Sequence, residues 1–352
     1  MIHFYTFGIT KKKKCDKWNQ LIKMLITGAT GFVGSNLLKE LSKSFPGSRI
    51  SAFVLPDDPF KKRLSLHEGL NIIEGNIINS KDVMSAVRGH THIIHLASLI
   101  SYWRKDFKKL IEINKNGVKN IVEACLKHRI TKLVHISSVG AFGFYKDGRI
   151  ANEDTPFNWA NSFYYMVSKH EGQKIVEQAV KDKELKAVTL NPASIMGPGD
   201  PNLSTPHNQL YNMIYKKTLL GSFSGGLAVV DVRDLVCIII KSINSDKNGE
   251  EYLVVGTNVE YSQVLKTIAQ YAKKKVCPFP LPSFLLSIAG GILELISYFT
   301  NRRPLLTYAY GKLSGWKTYY SSEKSIKDFN HDYIPFEKTI KDSCKYFEKN
   351  FL

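Results

Sequence analysis

The run Thr27 to Gly34, TGATGFVG, decides how the chain is to be read. It is preceded by the apolar stretch MLIT (Met24 to Thr27) and followed by an apolar-periodic segment, FVGSNLLKELSKSF. Glycines at 28, 31 and 34 therefore lie between a strand and a helix, where a dinucleotide needs them. In that setting Gly28 serves a tight turn, Gly31 lets backbone approach a pyrophosphate, and Gly34 permits close helix–strand packing. The helix start adds free N–H groups and the positive end of the dipole.

Working outward, RISAFVL, LNIIEGN, THIIHLA, TKLVHISS and KAVTLNP read as strands. Between them lie helical patterns: SKDVMSAVRG, a long one over about Phe107 to His128, and one that carries Tyr165 and runs to about Lys181. The strands are nearly continuous in apolar residues, as in a parallel sheet buried on both faces. The fold class that follows is α/β, a Rossmann-type doubly wound parallel sheet.

Beyond Pro192 the pattern loosens. NPASIMGPGDPN is rich in Pro and Gly and reads as loop, and a helix is expected near Asn208–Leu220. GLAVVDVRDLVCIII reads as strand, turn and helix, and EYLVVG as one more strand. The expected division is a dinucleotide-binding domain of residues 24–194 with about 226–258, and a smaller, mostly helical substrate lobe of about 195–225 with 259–352. From Leu281 to Phe299 the chain is almost wholly apolar and approaches the length of a membrane span. Two internal glycines and Glu294 favour a buried helix of the lobe, with an interfacial helix as the alternative.

The 352 residues carry 49 basic and 31 acidic side chains, a net charge of +18, which attracts phosphates, anionic membranes or nucleic acid at long range. No basic cluster interleaved with aromatics stands out, which argues against nucleic acid as a partner. Five scattered cysteines, at 15, 125, 237, 277 and 344, form no CxxC pair and no zinc spacing. Several lie in apolar runs as expected of buried thiols, and a reducing cytosol is their natural setting. Residues 1–23 place a short apolar run ahead of KKKK, the reverse of a signal peptide. They read as a leader ahead of a start at Met24, or as a basic arm against a membrane surface.

SFYYMVSKHEG, Ser162 to Gly172, holds two adjacent tyrosines. Tyr165 and Lys169 are four apart and share a helix face; Tyr164 and Lys169 do not. An ammonium beside a phenol lowers the phenol pKa, so that Tyr165 exchanges a proton with a carbonyl or alcohol oxygen. HISSVGAFG, at a strand end, offers a serine to hold the same oxygen.

Together these residues resemble the extended short-chain dehydrogenase/reductases of the epimerase/dehydratase superfamily, in its branch of dihydroflavonol reductases and 3β-hydroxysteroid dehydrogenases. The resemblance covers nearly everything from Met24 onward. It implies Ser138, Tyr165, Lys169 and Asn114 (in NKNG) as the catalytic set, with Lys169 also holding the nicotinamide ribose and Asn114 holding the site's architecture. It implies cofactor contacts from Gly28, Thr30, Gly31, Phe32, Val33 and Gly34, from Leu96, Ala97 and Ser98 in HLAS, from Tyr165 and Lys169, and from Pro192, Ser194 and Ile195 in NPASIMGPGD. Asp234, in VDVRDLV, takes a structural role. Two positions depart from the family. Where many relatives carry an arginine for the NADP phosphate this chain has Leu55, with Asp57 and Asp58 slightly late for a ribose and Lys61, Lys62 and Arg63 following. Where the family has an aspartate toward adenine this chain has Asn76, followed by Ile77. The cofactor, NAD or NADP, stays open on these residues.

The function this implies is an NAD(P)-dependent oxidoreductase interconverting a ketone and a secondary alcohol on a small molecule. The apolar lobe, Phe279 to Phe299 with Trp316, Tyr319 and Tyr320, suggests a hydrophobic one. A nucleotide-sugar epimerase or dehydratase with tightly held NAD is the first alternative, with Arg302 and Arg303 the paired arginines for such a substrate. A dinucleotide-binding regulator is the second. Many relatives pair as homodimers through helices that here include that of Tyr165.

Overall fold

The computed structural model describes residues 22–219, 221–276 and 279–352. Its first strand, β1 (Lys23–Thr27), passes through the TGATGFVG turn into helix α1 (Phe32–Ser44). Then come β2 (Arg49–Val54), β3 (Asn71–Glu74), α2 (Ser80–Val87) and β4 (His92–His95). A continuous helix, α3, is α-helical over Phe107–Ile111, π-helical over Glu112–Asn116 and α-helical again over Gly117–Lys127. It is followed by β5 (Lys132–Ile136), β6 (Asp147–Ala151), α4 (Tyr164–Lys181), β7 (Ala187–Pro192) and β8 (Ser194–Met196). The remainder comprises α5 (Pro206–Tyr215), β9 (Ser222–Phe223), β10 (Gly226–Asp231), α6 (Val232–Ile243), β11 (Glu250–Val254), β12 (Thr257–Glu260), α7 (Tyr261–Tyr271) and β13 (Pro280–Leu281). Last are α8 (Ser283–Thr300), α9 (Tyr308–Leu313), β14 (Lys317–Tyr320), α10 (Glu323–Phe329) and α11 (Phe336–Phe351).

Seven strands form one parallel sheet in the order β11-β7-β5-β4-β1-β2-β3. Leu25, Ile26, Ile93, Ile94, Leu133 and Val188 are fully buried in it, because helices cover both faces. Helices α1 and α6 pack together on one side, and α2, α3 and α4 on the other. The connection reverses direction on either side of β1, so a crevice opens at the carboxyl ends of β1 and β4.

A second sheet, β12-β10-β14-β6 with β8 added beside β10, lies beyond those carboxyl ends in the sequence of β5 and β7. It draws on segments that the sequence assigns to different units. Strand β10 belongs to this sheet, whereas α6 and β11 of the same 226–258 stretch join the large one. Strand β6, within 24–194, also goes to the small sheet. Pairing partners far along the chain decide this, and local periodicity does not carry them. The NPASIMGPGDPN stretch is likewise not all loop: Ser194, Ile195 and Met196 pair with Val229, Val230 and Asp231. Helix α5 ends at Tyr215, short of the expected Leu220.

The largest correction concerns α8. It is not a buried lobe helix: only Ser287, Gly290 and Ser297 are buried along its 18 residues. Cys125 and Cys344 are buried free thiols, as their apolar settings suggest. The leader up to residue 21, with Cys15, and Cys277 lie outside the described residues.

The C-terminal segment is tied back to α6 through Asp234. Its Oδ1 meets His331 Nε2 at 3.0 Å, and its Oδ2 accepts the Ile334 N–H at 3.0 Å. Hydrogen bonding to Asp234, with Cys237 second, lifts the His331 pKa from 6.5 to about 9. A histidine raised on folding stabilises the native state fully below 6.5, and that contribution is lost as pH climbs through about 9. The melting-temperature gap between the wild type and His331→Gln is therefore expected to be widest in mild acid and to narrow above pH 9 or so. A gap constant with pH, measured by calorimetry, would show that the ion pair adds nothing.

Candidate active site

The TGATGFVG turn is built so that α1 begins almost on top of the end of β1. Gly28 has φ of +70°, and a Cβ there would lie 2.8 Å from Ala97 N. A Cβ on Gly34 would run into Gly28 O and sit 2.6 Å from Ala29 Cα. Gly31 is different: a methyl there would meet only Gly28 O, at 3.4 Å, with open space beyond. No side chain caps α1, and the first N–H bonded within the helix is that of Ser35, donating to Gly31 O at 2.8 Å. The N–H groups of Phe32 and Val33 thus remain open to an anion, which fits a pyrophosphate.

The second and third strands close the adenosine side. Leu55, just past β2, is exposed. The chain then turns so that Asp58 comes back to the glycine turn, where Thr30 Oγ1 donates to Asp58 Oδ2 at 2.7 Å. Asp58 Oδ1 also accepts the Phe60 N–H at 2.8 Å. Lys61 is engaged elsewhere, donating to Glu74 Oε1 at 2.7 Å and to Pro56 O. After β3, Asn76 Oδ1 accepts the Ile78 N–H at 3.2 Å, leaving its amide NH2 to donate. Ile77 is buried against Gly117 of α3. HLAS follows β4, and its main chain is pinned to β1: Leu96 N–H donates to Thr27 O, and Ala97 N–H to Thr27 Oγ1 at 3.1 Å. Ser98 continues this run into the segment that Asn114 holds.

Asn114 lies in the π-helical turn of α3 and is 2% exposed. Its Oδ1 accepts the Leu99 N–H at 2.8 Å, and its Nδ2 donates to Leu99 O and to Ser168 Oγ, both at 2.9 Å. Ser168 Oγ in turn donates to Tyr165 O at 2.7 Å. One amide side chain therefore joins the HLAS loop to the helix carrying Tyr165. Gly172 makes the close passage of α3 and α4 feasible, since a Cβ there would strike Asn114 O. A π turn inside an α-helix is a common mark of a functional position.

Ser138, Tyr165 and Lys169 converge beyond the end of β5, each no more than 9% exposed. Ser138 Oγ accepts the Gly140 N–H at 3.1 Å, and its hydroxyl neighbours the Tyr165 phenol. Lys169 Nζ donates to Ile136 O at 2.9 Å. Burial lowers the Lys169 pKa to about 7. Burial raises the Tyr165 phenol, and the neighbouring Ser138 hydroxyl pulls it only part of the way back. The four-residue spacing suggests that Lys169 lowers the Tyr165 pKa, but here the net shift is upward, because the low dielectric around the phenol outweighs its neighbours. Past β7, Pro192 is buried beside Val254, Ser194 is exposed and Ile195 half-buried.

The sequence model of the NAD dependent epimerase/dehydratase family matches residues 24–256. The chain belongs to that family. A Synechocystis sp. protein provisionally named dihydroflavonol 4-reductase is 24% identical over 92% of this chain and 94% of its own. The sterol-4-alpha-carboxylate 3-dehydrogenase (decarboxylating) of Mus musculus is 23% identical over 93% and 88%. The crystal structure of gox2253 superposes with a TM-score of 0.79 at 25% identity, covering 93% of this chain and 98% of that one. The protein is thus an oxidoreductase of the epimerase/dehydratase family that uses a nicotinamide dinucleotide.

Two features of this family member escape a reading of its motifs. His95 and His135 stack in the core at 5.4 Å, with His95 Nδ1 2.7 Å from Thr27 Oγ1. Burial, then the Lys169 charge, holds His95 down at about 3, and His135 is lowered for the same reasons. Both are neutral near pH 7 and support the strand ends without adding charge. The second is an aromatic wall beside the Tyr165 phenol. Tyr102, on the loop before α3, lies 6.0 Å from Tyr165, and Tyr310 of α9 lies 5.2 Å from Tyr102. Tyr164 packs against Phe107 with the rings tilted and their centroids 4.8 Å apart. Trp316 packs with Phe144 and Phe163, and Tyr320 is buried. The Phe279–Phe299 stretch, by contrast, turns its large side chains to solvent.

Replacing Asn114 by Ala removes both hydrogen bonds that its side chain makes to the Leu99 backbone. The variant is expected to lose about 2–4 kcal/mol in urea unfolding, the size of two buried polar groups left unpaired. A loss below about 0.5 kcal/mol would mean that the loop re-pairs without it.

Proposed function

We propose that this protein is a reductase or dehydrogenase that interconverts a ketone and a secondary alcohol on a small apolar molecule. The observation that carries the reading is the convergence of Ser138, Tyr165 and Lys169 at the sheet's carboxyl edge, walled by Tyr102 and Tyr310. A bound nicotinamide supplies or accepts the hydride. Tyr165 gives its phenol proton to the carbonyl oxygen or takes one from the alcohol. Ser138, whose hydroxyl neighbours that phenol, orients the same oxygen. Lys169, held by Ile136 O, would hold the ribose hydroxyls of a bound nicotinamide nucleotide with the ammonium it carries below a pH of about 7. Asn114 acts by position, fixing Leu99 against the Tyr165 helix.

The nucleotide-sugar alternative finds less support in these residues. Arg302 and Arg303 are exposed at the end of α8, and Arg303 is paired with Asp106 at 2.9 Å. SSVGAFG brings no acid beside Ser138. All three catalytic side chains are present and buried together, which speaks against a purely regulatory role.

For the cofactor, Asp58 supports NAD over NADP. Its carboxylate rests on Thr30 of the phosphate-binding turn, while Lys61 is spent on Glu74. A 2′-phosphate would meet a like charge there, so tryptophan quenching is expected to give NADH about tenfold tighter binding than NADPH. Asp58→Asn should narrow the difference; equal affinities in the wild type would remove Asp58 from cofactor choice.

Tyr165→Phe is expected to lower kcat by about a thousandfold while leaving NADH affinity within about twofold. Full turnover in that variant would sink the mechanism. With Lys169 titrating at about 7, its ammonium is present below that pH and lost above it. Cofactor affinity should accordingly weaken as pH rises through about 7 in the wild type and stay flat in Lys169→Met.

A further inference from the structure

Helix α8 presents its side chains the wrong way round for a soluble protein. Phe284, Ile288, Ile292, Leu295, Ile296 and Phe299 are each at least half exposed, Phe299 at 79%. They recur every three or four residues and make one open apolar stripe down the helix. Past its end, Leu305 is 99% exposed. Such a patch on a folded surface marks something that covers it.

The opposite side of α8 is fastened to the enzyme at every turn. Ser297 Oγ accepts the Trp103 indole N–H at 3.1 Å, and Glu294 Oε2 accepts the Tyr308 N–H at 3.0 Å. Lys105 Nζ donates to Tyr298 O and Asn301 Oδ1, both at 3.1 Å. Gly290 and Gly311 let α9 lie directly on it: a Cβ on Gly311 would come within 2.6 Å of the Leu286 backbone. By length and composition α8 could cross a membrane. A helix bound along its whole length to a water-soluble body cannot do so without dragging that body's polar surface into hydrocarbon. It can lie flat in the interface with the stripe facing down.

Charge around the stripe identifies what it lies on. Arg104, Lys105, Lys108 and Lys109 are exposed on the segment fastened to the helix, and Arg302 and Arg303 at its end. The acids nearest in sequence are occupied: Asp106 pairs with Arg303, and Glu294 is bound to Tyr308 N–H. Trp103 and Tyr298, with Lys105 over both rings, add aromatics of the kind that sit at headgroup depth.

We propose that α8 is a docking element for an anionic lipid bilayer, its apolar stripe among the acyl chains and Arg104, Lys105 and Arg302 on the headgroups. Tyr102, next to Trp103, is the residue that walls Tyr165, so the docked face adjoins the mouth of the cleft. Entry of an apolar substrate directly from the membrane follows, and that part rests on the reductase reading above.

The test is sedimentation of the full-length protein with vesicles of phosphatidylcholine alone and of phosphatidylcholine with phosphatidylserine. The wild type is expected to pellet with the anionic vesicles. Ile292→Glu/Leu295→Glu/Phe299→Glu should lower that partition about tenfold or more, while Arg104→Gln/Arg302→Gln should remove only the dependence on phosphatidylserine. All these positions are exposed, and NADH quenching with a melting curve verifies that each variant is folded. Wild type that stays in the supernatant with both vesicle types would overturn the proposal. So would a vesicle-indifferent dimer that the triple substitution dissociates, since a second copy would then cover the stripe. NADH binding is read in the same samples, so a failed reductase reading and a failed docking surface are told apart.

Discussion

The crevice depends on a contact that tolerates no side chain. Gly34, at the start of α1, lies so close to Gly28 and Ala29 that a single methyl would force helix and strand apart. Gly28 meets the same limit on its other side, against Ala97. Three backbone segments, from β1, α1 and the HLAS loop, are thereby stacked without intervening side chains. That closeness brings the uncapped N–H groups of α1 to the carboxyl edge of the sheet, within reach of the residues that follow β4 and β5. Geometry of this kind is set by backbone shape, so it holds whatever substrate the lobe selects.

Burial then sets the chemistry. Lys169 is the cation at the Tyr165 end of the crevice, and the same low dielectric that weakens its hold on a proton strengthens Tyr165's. The two groups, which titrate close together in water, are driven apart, so that burial favours the neutral form of each. The neutral pair His95 and His135 beneath them keeps the surroundings free of competing charge. Asn114 supplies rigidity rather than charge, which a site needs if a proton is to move along a fixed line.

Much of this is legible in the sequence because it is local. The alternation of apolar runs with helical patterns marks a parallel sheet, and the glycine spacing and the Tyr165–Lys169 interval mark its edge. What escapes is set by tertiary structure. Asp58 reaches Thr30 only because the 55–60 turn doubles back, which residue order does not reveal. Strands β6, β8 and β10 find partners across the chain, so the lobe is more sheet-like than its composition suggests. The sign of the Tyr165 shift depends on how much water the fold excludes. Helix α8 is the sharpest case: an almost wholly apolar segment does not say which side meets the protein. The small residues Ser287, Gly290 and Ser297 do, by allowing close approach.

The π turn at Glu112–Asn116 has a further implication for how this chain could change over time. It amounts to one residue more than a regular helix would hold between the same two ends. Removing any one residue there would restore an unbroken α-helical ladder, a locally favourable repair. The two halves of α3 would keep nearly the same phase, because the π turn already fits its extra residue between the same two ends, and what would change is which side chain stands at the bulge. Asn114 would lose that place, and with it its bonds to Leu99 and Ser168. A deletion that improves the helix would therefore dismantle the site, so the irregularity is one that selection for function would retain and selection for helix stability alone would erase.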